Sequence, residues 1–549
     1  MKKYIVRSVT AAALTAMLTL PAAQGLALAK STLVPVRQAA ATIGAGVVWN
    51  AKSQTVTLTK GTTKLVLTVN KTKATLNGKT VTIKEPLKVI KNQAMVAVDQ
   101  LKVWFKPQST GTPSTPVPPT PPSTPVTTGE VADLFIQGIS TGDATKAEKY
   151  MTPALKLSIP TAALQNLWKG YSGLYGDISS QLSKSTKVNA IHTNVTYTFK
   201  TSQTSIDIIV RLNKEGKVDD LYVQPTNAAV HQSPSYDRST SYTEEEVQIG
   251  EGIFALPGTF TKPIGTSGAY PVIVLVHGSG PSDRDESIGG AKIFKDLAAG
   301  LASQGIGVLR YDKITYEHTF KFAANPIATI LQETVNDALQ AVRYVRNQPN
   351  VDKTKIYVAG HSQGGFAVPL IINADANEGN IRGSIILSGP SGTFIDVMKE
   401  QNQELITRVK SQGGDTTPYE KNATLINTVA QLLQDPRYSV DNLPTNFPLP
   451  SAYWWYALNN YKPTDLAKTQ RVPLLILAGE NDWQVPLDQF ATWKKELANR
   501  SDIEYKSYPK VNHLLAEYDG VSTSAEYTQP SHVSESIIND IVAWAKKDR

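Results

Sequence analysis

Residues 356–364 read Ile356-Tyr357-Val358-Ala359-Gly360-His361-Ser362-Gln363-Gly364. A short apolar run that favours a β-strand ends in the pattern Gly-x-Ser-x-Gly, and residues compatible with a helix follow. This order predicts a strand–turn–helix elbow that presents Ser362 on a strained turn. The two glycines allow the strand and the helix to pass closely, because they carry no Cβ. A plain strand-to-helix turn would also fit these residues, so the rest of the chain has to decide.

Alternating strands and helices surround this stretch from about residue 236 onward. The predicted strands cover 245–249, 252–256, 272–276, 307–311, 356–359, 384–387, 474–478 and 503–508. The predicted helices between them include 291–303, 328–346 and 366–374. Strands separated by helical crossovers predict the α/β class, with a doubly wound, mostly parallel, eight-stranded sheet and helices on both faces. The first two strands can instead pair as an antiparallel hairpin.

Reactive residue types follow three of these strands directly. Ser362 follows the strand at 356–359, Asp482 follows the strand at 474–478, and His513 follows the strand at 503–508. Functional groups of a doubly wound sheet gather at the carboxyl ends of its strands. We therefore expect the hydroxyl, the carboxylate and the imidazole to meet at one edge of the sheet.

The chain order Ser…Asp…His is that of α/β-hydrolases. The loop His277-Gly278-Ser279-Gly280 follows a fourth strand, where that superfamily carries its oxyanion loop. Together with Asp283-Arg284-Asp285 and Gly307-Val308-Leu309-Arg310-Tyr311-Asp312, these motifs resemble secreted bacterial esterases of the α/β-hydrolase superfamily. The resemblance covers about residues 240–549 and implies a serine carboxylester hydrolase.

The chemistry of such a triad gives each residue a role. Ser362 is expected to attack the ester carbonyl and form an acyl-enzyme, with His513 as the base and Asp482 orienting the imidazole. The backbone N–H groups of Gln363 and Ser279 are expected to form the oxyanion hole.

Alternatives to two of these assignments stay open. Glu480 or Asp488 could replace Asp482, and His532, before the last predicted helix, could replace His513 as the base. The motif Asp283-Arg284-Asp285 is interpreted either as a local ion-pair turn or as a group that faces the substrate.

An insertion at about 390–470 is too long for an ordinary connection between a helix and a strand. It contains helical patterns at 394–409 and 423–433, and the resemblance implies a lid over the active site. Trp454 and Trp455 in this insertion could line an acyl pocket or pack the insertion onto the core. His277 and His361, next to the predicted site, are further candidates for substrate contact.

The N-terminal residues predict export. Residues 1–29 combine three basic residues, an apolar run and the sequence Ala27-Leu28-Ala29, which is typical of a secretory signal peptide. The apolar run is too short for a comfortable membrane span, and no integral span is expected in the mature chain. The sequence has no cysteine, which excludes disulfides, thiolate metal sites and a cysteine nucleophile. We therefore expect a secreted or cell-surface protein.

Residues 30–106 predict a small β-rich domain. The hairpin signal Asn77-Gly78 lies between two alternating segments. The motifs Leu33-Val34-Pro35-Val36-Arg37 and Trp49-Asn50 resemble the copper amine oxidase N-terminal-like domain of Gram-positive surface proteins. The segment contains neither His nor Cys, so no copper is expected there. The segment contains thirteen basic residues and only two acidic ones, and this positive charge favours binding to an anionic cell-wall polymer. An inert spacer is the alternative.

Two further segments complete the organisation. Residues 107–128 are rich in Pro, Thr and Ser and predict an extended linker. Residues 129–230 predict helices followed by antiparallel strands, and this small α+β domain is similar to a domain of unknown function found in front of secreted hydrolases. The hydrolase domain is expected to cover 236–549.

Several function classes remain compatible with these residues. A peptidase, an acyl transferase or a thioesterase can use the same triad, and a non-catalytic cell-wall-binding protein is an alternative of another class. The expected substrate is a small acyl ester. No cofactor, no metal and no nucleic-acid partner are predicted.

Overall fold

The computed structural model describes residues 33–36, 39–40, 45–50, 53–60, 63–83, 86–90, 93–97, 101, 127–226 and 229–547. The predicted signal peptide and most of the predicted linker lie outside these residues. The described residues form two units, one in Leu26–Val188 with His192–Pro225 and one in Thr226–Arg549 with Asn189–Ile191. No described helix has the length and apolar character that a membrane crossing requires.

The first unit begins with short strands in two antiparallel sheets. A five-stranded sheet contains β2–β6 in chain order, and a three-stranded sheet has the order β1-β8-β7. These strands are β1 Leu33–Pro35, β2 Gly46–Asn50, β3 Thr55–Lys60, β4 Thr63–Thr68, β5 Lys73–Leu76, β6 Lys79–Thr82, β7 Lys88–Ile90 and β8 Gln93–Ala97. Asn77 and Gly78 both have positive φ, 50° and 82°, so the predicted hairpin turn is confirmed.

Helices and a third antiparallel sheet complete this unit. The helices are α1 Thr128–Thr141, α2 Ala144–Glu148, α3 Pro153–Ser158 and α4 Thr161–Tyr175. The sheet has the order β12-β11-β10-β9, with β9 Ile178–Val188, β10 Thr193–Thr201, β11 Ser205–Leu212 and β12 Val218–Pro225. The predicted helices-then-strands pattern is confirmed here, although sequence analysis missed the edge strand β9.

The second unit is built on an eight-stranded sheet of order β13-β14-β18-β15-β19-β20-β21-β22. Strand β14 pairs antiparallel with both β13 and β18, and the other neighbouring strands pair in parallel. The strands are β13 Tyr242–Ile249, β14 Leu256–Pro263, β15 Tyr270–Val276, β18 Gly307–Tyr311, β19 Val351–His361, β20 Gly383–Leu387, β21 Leu474–Gly479 and β22 Ile503–Tyr508; the short strands β16 Ser287–Ile288 and β17 Ala291–Lys292 pair separately. The predicted eight-stranded α/β architecture and its antiparallel start are confirmed.

Helices cover both faces of this sheet. Alternate residues of β15 enter two hydrophobic clusters, with Val274 in one and Ile273 in the other, as expected for a sheet buried on both faces. The helices are α5 Ile293–Ala302, α6 Ile314–Glu317, α7 Thr319–Ala323, α8 Asn336–Arg346, α9 Gln363–Asp375, α10 Phe394–Ser411, α11 Thr417–Gln434, α12 Ala452–Leu458, α13 Pro463–Ala467, α14 Leu487–Glu496 and α15 Glu535–Ala545. Helices α10–α13 lie in the predicted insertion.

One predicted strand was wrong. The segment 252–256 forms a 3-10 turn, Gly252–Phe254, and strand β14 begins only at Leu256. Gly250 and Gly252 have φ values of 72° and 77°, which an extended strand does not adopt. The predicted helix 328–346 also begins differently, because its first turn, Leu331–Val335, is a π-helix.

Candidate active site

Ser362 lies on a sharp turn between β19 and α9. Its φ of 53° and ψ of −118° are strained for a residue with a side chain. A Cβ at Gly360 would lie 2.3 Å from the carbonyl carbon of Gly364, and a Cβ at Gly364 would lie 2.1 Å from Val276 O. Only glycine fits at these two positions, so the strand–turn–helix elbow depends on both of them.

Asp482 and His513 form a buried hydrogen-bonded pair in the loops after β21 and β22. His513 Nδ1 lies 2.7 Å from Asp482 Oδ2, and both side chains are almost fully buried. Asp482 Oδ1 accepts the backbone N–H groups of Gln484 at 2.8 Å and Val485 at 3.0 Å. These contacts fix the carboxylate. A proton on Nδ1 then leaves the lone pair of His513 on Nε2.

His361 brings the loop of His513 against the elbow. His361 Nε2 lies 2.8 Å from the carbonyl oxygen of His513, and the two imidazole centroids are 4.8 Å apart. Because His361 directly precedes Ser362, the predicted base and the predicted nucleophile lie on adjacent segments. The described residues show no hydrogen bond between Ser362 Oγ and His513, a contact that often tightens only when substrate binds.

Gly278, in the loop after β15, is held from both sides by buried charged side chains. Its N–H donates to Glu286 Oε1 at 2.7 Å, and its carbonyl oxygen accepts from Lys313 Nζ at 2.8 Å. Within the described residues, the backbone N–H of Ser279 has no hydrogen-bond acceptor. Gln363 is the first residue of α9, where a backbone N–H has no acceptor within the helix. Both predicted oxyanion donors therefore occupy positions from which an N–H can face a bound anion.

Glu286 and His361 form a buried ion pair, with 3.0 Å between Glu286 Oε2 and His361 Nδ1. Burial alone would disfavour both charges, but their mutual attraction outweighs it. The pKa of His361 is therefore raised, and the pKa of Glu286 is lowered. Since Glu286 also binds Gly278 and His361 binds the carbonyl of His513, this pair joins the oxyanion loop, the elbow and the loop of the predicted base.

The two histidines predicted to contact substrate have protein partners. His277 is 2% exposed, and its Nε2 donates to Asp283 O at 3.0 Å. Burial lowers the pKa of His277 to about 4, which keeps its imidazole neutral at physiological pH. His361 is held between Glu286 and His513. Contact of either side chain with substrate stays a prediction.

Trp454 and Trp455 are buried in the hydrophobic core of the second unit. Their ring centroids lie 5.2 Å and 5.8 Å from that of Phe394, and Trp454 Nε1 donates to Glu333 Oε2 at 3.0 Å. The structure therefore shows these side chains packing the insertion onto the sheet domain. Their role in an acyl pocket stays a prediction.

His532 is hydrogen-bonded away from the elbow. Its Nδ1 lies 3.1 Å from Asp296 Oδ2, and His231 Nε2 lies 2.7 Å from Asp296 Oδ1. The ligand atoms of these three residues lie within 4.8 Å of one another, so the cluster could hold a metal ion. Sequence analysis did not connect these residues and predicted no metal.

The two alternative carboxylates have other environments. Glu480 accepts a hydrogen bond from Ser507 Oγ at 2.7 Å. Asp488 lines a cleft of about 410 Å³, together with Lys399 and Ile426 of the insertion. In the described part of the chain, neither carboxylate is hydrogen-bonded to a histidine.

The motif Asp283-Arg284-Asp285 forms an ion-pair turn, which confirms one of its two interpretations. Arg284 Nε lies 3.1 Å from Asp312 Oδ1, and Asp285 Oδ2 lies 2.7 Å from Lys292 Nζ. Asp283 Oδ1 accepts the backbone N–H of Ser287 at 2.9 Å. The turn fixes the segment that carries Glu286.

Sequence analysis missed three charged residues around the site, Glu286, Lys313 and Glu333. Lys313 Nζ lies 2.7 Å from Glu333 Oε1 and 3.2 Å from Gln363 Oε1. The signal of Lys313 in the sequence is its position two residues after β18, since a charged residue at the carboxyl end of a parallel strand points to a functional site. Glu286 lies in a connection between elements and Glu333 lies in the π-helical turn Leu331–Val335, and the sequence pattern gives no such signal at either position.

Two segments of the chain match known protein families. Residues 19–108 match the family described as copper amine oxidase N-terminal domain, and residues 270–518 match the family described as serine aminopeptidase, S33. The esterase EstD of Thermotoga maritima is 30% identical over 417 residues, which are 76% of this chain and 95% of that protein.

Solved esterase structures show weaker similarity. Est1E of Butyrivibrio proteoclasticus is 17% identical, with a TM-score of 0.35, and the match covers 55% of this chain and 96% of that one. An esterase of Pyrococcus furiosus is 13% identical, with a TM-score of 0.36, and the match covers 59% and 96% of the two chains.

Proposed function

Because the chain belongs to the α/β-hydrolase family of esterases that includes EstD, we propose that it hydrolyses carboxylic esters through an acyl-enzyme on Ser362. The observation that carries this proposal is the buried Asp482–His513 pair beside the strained elbow. A serine hydroxyl is a poor nucleophile until a base removes its proton, and an imidazole with a fixed tautomer supplies that base.

The proposed reaction proceeds in two steps. In the first, Ser362 Oγ attacks the ester carbonyl carbon, His513 Nε2 takes the hydroxyl proton, and the N–H groups of Ser279 and Gln363 bind the developing oxyanion. The alcohol leaves with the proton from His513. In the second, water attacks the acyl carbon while His513 takes a proton from it, and His513 then returns this proton to Ser362 Oγ as the carboxylic acid is released. Asp482 stabilises the imidazolium in both steps.

Hydrolysis of p-nitrophenyl butyrate tests the assignment. We expect Ser362→Ala and His513→Gln each to lower kcat by about 10⁴-fold or more. His532→Gln is the matched control, because this histidine is hydrogen-bonded to Asp296, and we expect it to change kcat less than threefold. Loss of activity in His532→Gln but not in His513→Gln would assign the base to His532 instead.

A peptidase remains the second candidate, because residues 270–518 match the family described as serine aminopeptidase. The same nucleophile can attack an amide or transfer its acyl group to another acceptor. Parallel assays of p-nitrophenyl esters and amino-acid p-nitroanilides distinguish these activities. We expect kcat/KM for the ester to exceed that for the anilide by at least 100-fold, and the reverse order would assign a peptidase.

The N-terminal residues support a location outside the cell. The proposal is that residues 1–29 direct export and that the basic domain attaches the protein to an anionic cell-wall polymer. Lys64, Lys73 and Lys79 are exposed on the five-stranded sheet, where they can face such a polymer. A wall-binding protein without catalysis is the alternative, and wild-type ester hydrolysis no faster than the uncatalysed reaction would favour it.

A further inference from the structure

Lys313 is a buried cation directly behind the proposed oxyanion loop. It is 2% exposed, and its Nζ contacts Gly278 O at 2.8 Å, Glu333 Oε1 at 2.7 Å and Gln363 Oε1 at 3.2 Å. An ammonium group has three hydrogens, so these three acceptors account for all of its donors. The side chain is therefore fixed in direction as well as in place.

The contact with Gly278 O fixes the direction of an N–H group. Gly278 C=O and Ser279 N–H belong to the same peptide unit, and in a trans peptide they point in opposite directions. By holding the carbonyl oxygen, Lys313 turns the N–H of Ser279 away from itself. Glu286 holds the preceding peptide unit through Gly278 N–H, so neither unit can rotate freely.

The same ammonium group also holds the second proposed donor residue. Gln363 supplies the other oxyanion N–H through its backbone, and its side-chain oxygen lies against Lys313 Nζ. One buried positive charge thus positions both residues of the proposed oxyanion hole. That charge also favours negative charge that develops nearby in a site of low dielectric constant.

Glu333 extends this contact to the insertion. Glu333 is 1% exposed. Its Oε1 accepts a hydrogen bond from Lys313 Nζ, and its Oε2 accepts one from Trp454 Nε1 at 3.0 Å. Trp454 lies in α12 of the insertion, and Glu333 lies in the π-helical turn Leu331–Val335. A continuous series of hydrogen bonds therefore runs from α12 through Glu333 and Lys313 to Gly278.

We propose that Lys313 is a positioning residue for the oxyanion donors and that Trp454 makes this positioning depend on the docked insertion. This inference rests on the proposed esterase function. When the Trp454 bond to Glu333 is lost, the Glu333–Lys313 pair shifts and the N–H of Ser279 is less well directed. Stabilisation of the transition state then falls, while binding of the ground-state ester does not depend on this bond.

The variant Trp454→Phe tests the coupling, because it removes the indole N–H and keeps an aromatic ring. Trp493→Phe is its matched control: Trp493 is also buried, and its Nε1 donates to a backbone oxygen, Gly389 O, at 2.9 Å. For each variant we would measure kcat and KM on p-nitrophenyl butyrate. We would also measure Ki for a trifluoromethyl ketone, whose adduct places an oxyanion in the hole.

We expect Trp454→Phe to lower kcat about tenfold and to raise the ketone Ki by a similar factor, with KM changed less than twofold. Trp493→Phe should leave kcat, KM and the ketone Ki within twofold of their wild-type values. We expect Lys313→Met to lower kcat by at least 100-fold if it folds. Trp454→Phe tests the inference whether or not Lys313→Met folds.

Equal effects of the two tryptophan variants would overturn the inference, as would a change confined to KM. This failure differs from a failure of the proposed function. In the latter case the wild-type protein would neither hydrolyse the ester nor bind the ketone, and Ser362→Ala would behave like the wild type.

Discussion

At the scale of single residues, the site combines a strained serine with buried charges that hold its neighbours. Ser362 lies on the elbow, and Asp482 and His513 lie on two other strand ends. Glu286 and His361 connect these segments through a buried pair. The arrangement of the three segments depends on the Glu286–His361 pair. Removal of one of its charges should therefore lower the free energy of unfolding by an amount that depends on pH.

The variant Glu286→Gln removes the negative partner of His361. The raised pKa of His361 contributes stability that is complete below its ordinary value of 6.5 and is lost as pH rises through the folded-state value. The lowered pKa of Glu286 contributes stability above its ordinary value of 4.5 that is lost as pH falls through the folded-state value. Both contributions are present between these two ordinary values.

We therefore expect Glu286→Gln to lower the free energy of unfolding by about 3 kcal/mol near pH 5.5, with a smaller difference at pH 9. Chemical denaturation at a series of pH values measures it. Glu245→Gln is the control, because Glu245 is 54% exposed and its pair with Lys262 lies at the surface. A difference between wild type and Glu286→Gln that grows with rising pH would contradict this account.

The sequence predicts the triad candidates but not the residues that hold them. Ser362, Asp482 and His513 carry recognisable signals because each follows a predicted strand. Lys313 and Glu333 act through contacts between residues 20 positions apart, and these contacts depend on tertiary packing. Sequence pattern alone does not contain that information.

At the scale of elements, the elbow requires β19, α9 and β15 to approach very closely. A Cβ at Gly364 would lie 2.1 Å from Val276 O and 2.7 Å from His277 O, both backbone atoms that cannot move aside cheaply. The Ser362 turn therefore depends on the absence of one methyl group.

We expect Gly364→Ala to destabilise the protein by about 3 kcal/mol, because backbone segments have to separate. Gly392→Ala is the matched control, since the nearest atom to its added Cβ would be 3.8 Å away, and we expect a change below about 0.5 kcal/mol. Chemical denaturation measures both variants. Equal stability of the two would show that the elbow has more room than the structure gives it.

The strand predictions succeeded at some elements and failed at others. Strands β18 and β22 have the predicted bounds, Gly307–Tyr311 and Ile503–Tyr508, and both contain β-branched or aromatic residues that favour strands. Strand β9, Ile178–Val188, was missed because nearly all of its residues are exposed, so hydrophobic alternation is absent. The error at 252–256 arose because two glycines with positive φ interrupt an otherwise strand-like pattern.

At the scale of the whole molecule, charge is unevenly distributed. The net charge of the chain is +8, and residues 30–106 carry a large excess of basic residues. A surface of this kind attracts polyanions over distances that salt shortens, from about 30 Å at 0.01 M to about 3 Å at 1 M. Wall binding by the basic domain should therefore depend on salt, and ester hydrolysis should not depend on that domain.

We expect the full chain to co-sediment with anionic cell-wall polymer at low salt and to be released at about 1 M salt. The triple variant Lys64→Glu, Lys73→Glu, Lys79→Glu should lose this binding and keep kcat/KM for the ester within twofold. A second triple variant, Lys353→Glu, Lys421→Glu, Lys495→Glu, makes the same charge change on exposed residues of the other unit and should keep wall binding. Equal loss of binding in both variants would show that only net charge matters.

The central claim is that Ser362 is the activated nucleophile of this protein. Its most direct measurement is peptide mapping by mass spectrometry after the full chain has reacted with a fluorophosphonate, which labels activated serines covalently. We predict one adduct, on the peptide that contains Ser362, and no adduct in a folded Ser362→Ala variant. An adduct on a different serine, or equal labelling of the wild type and Ser362→Ala, would contradict the account.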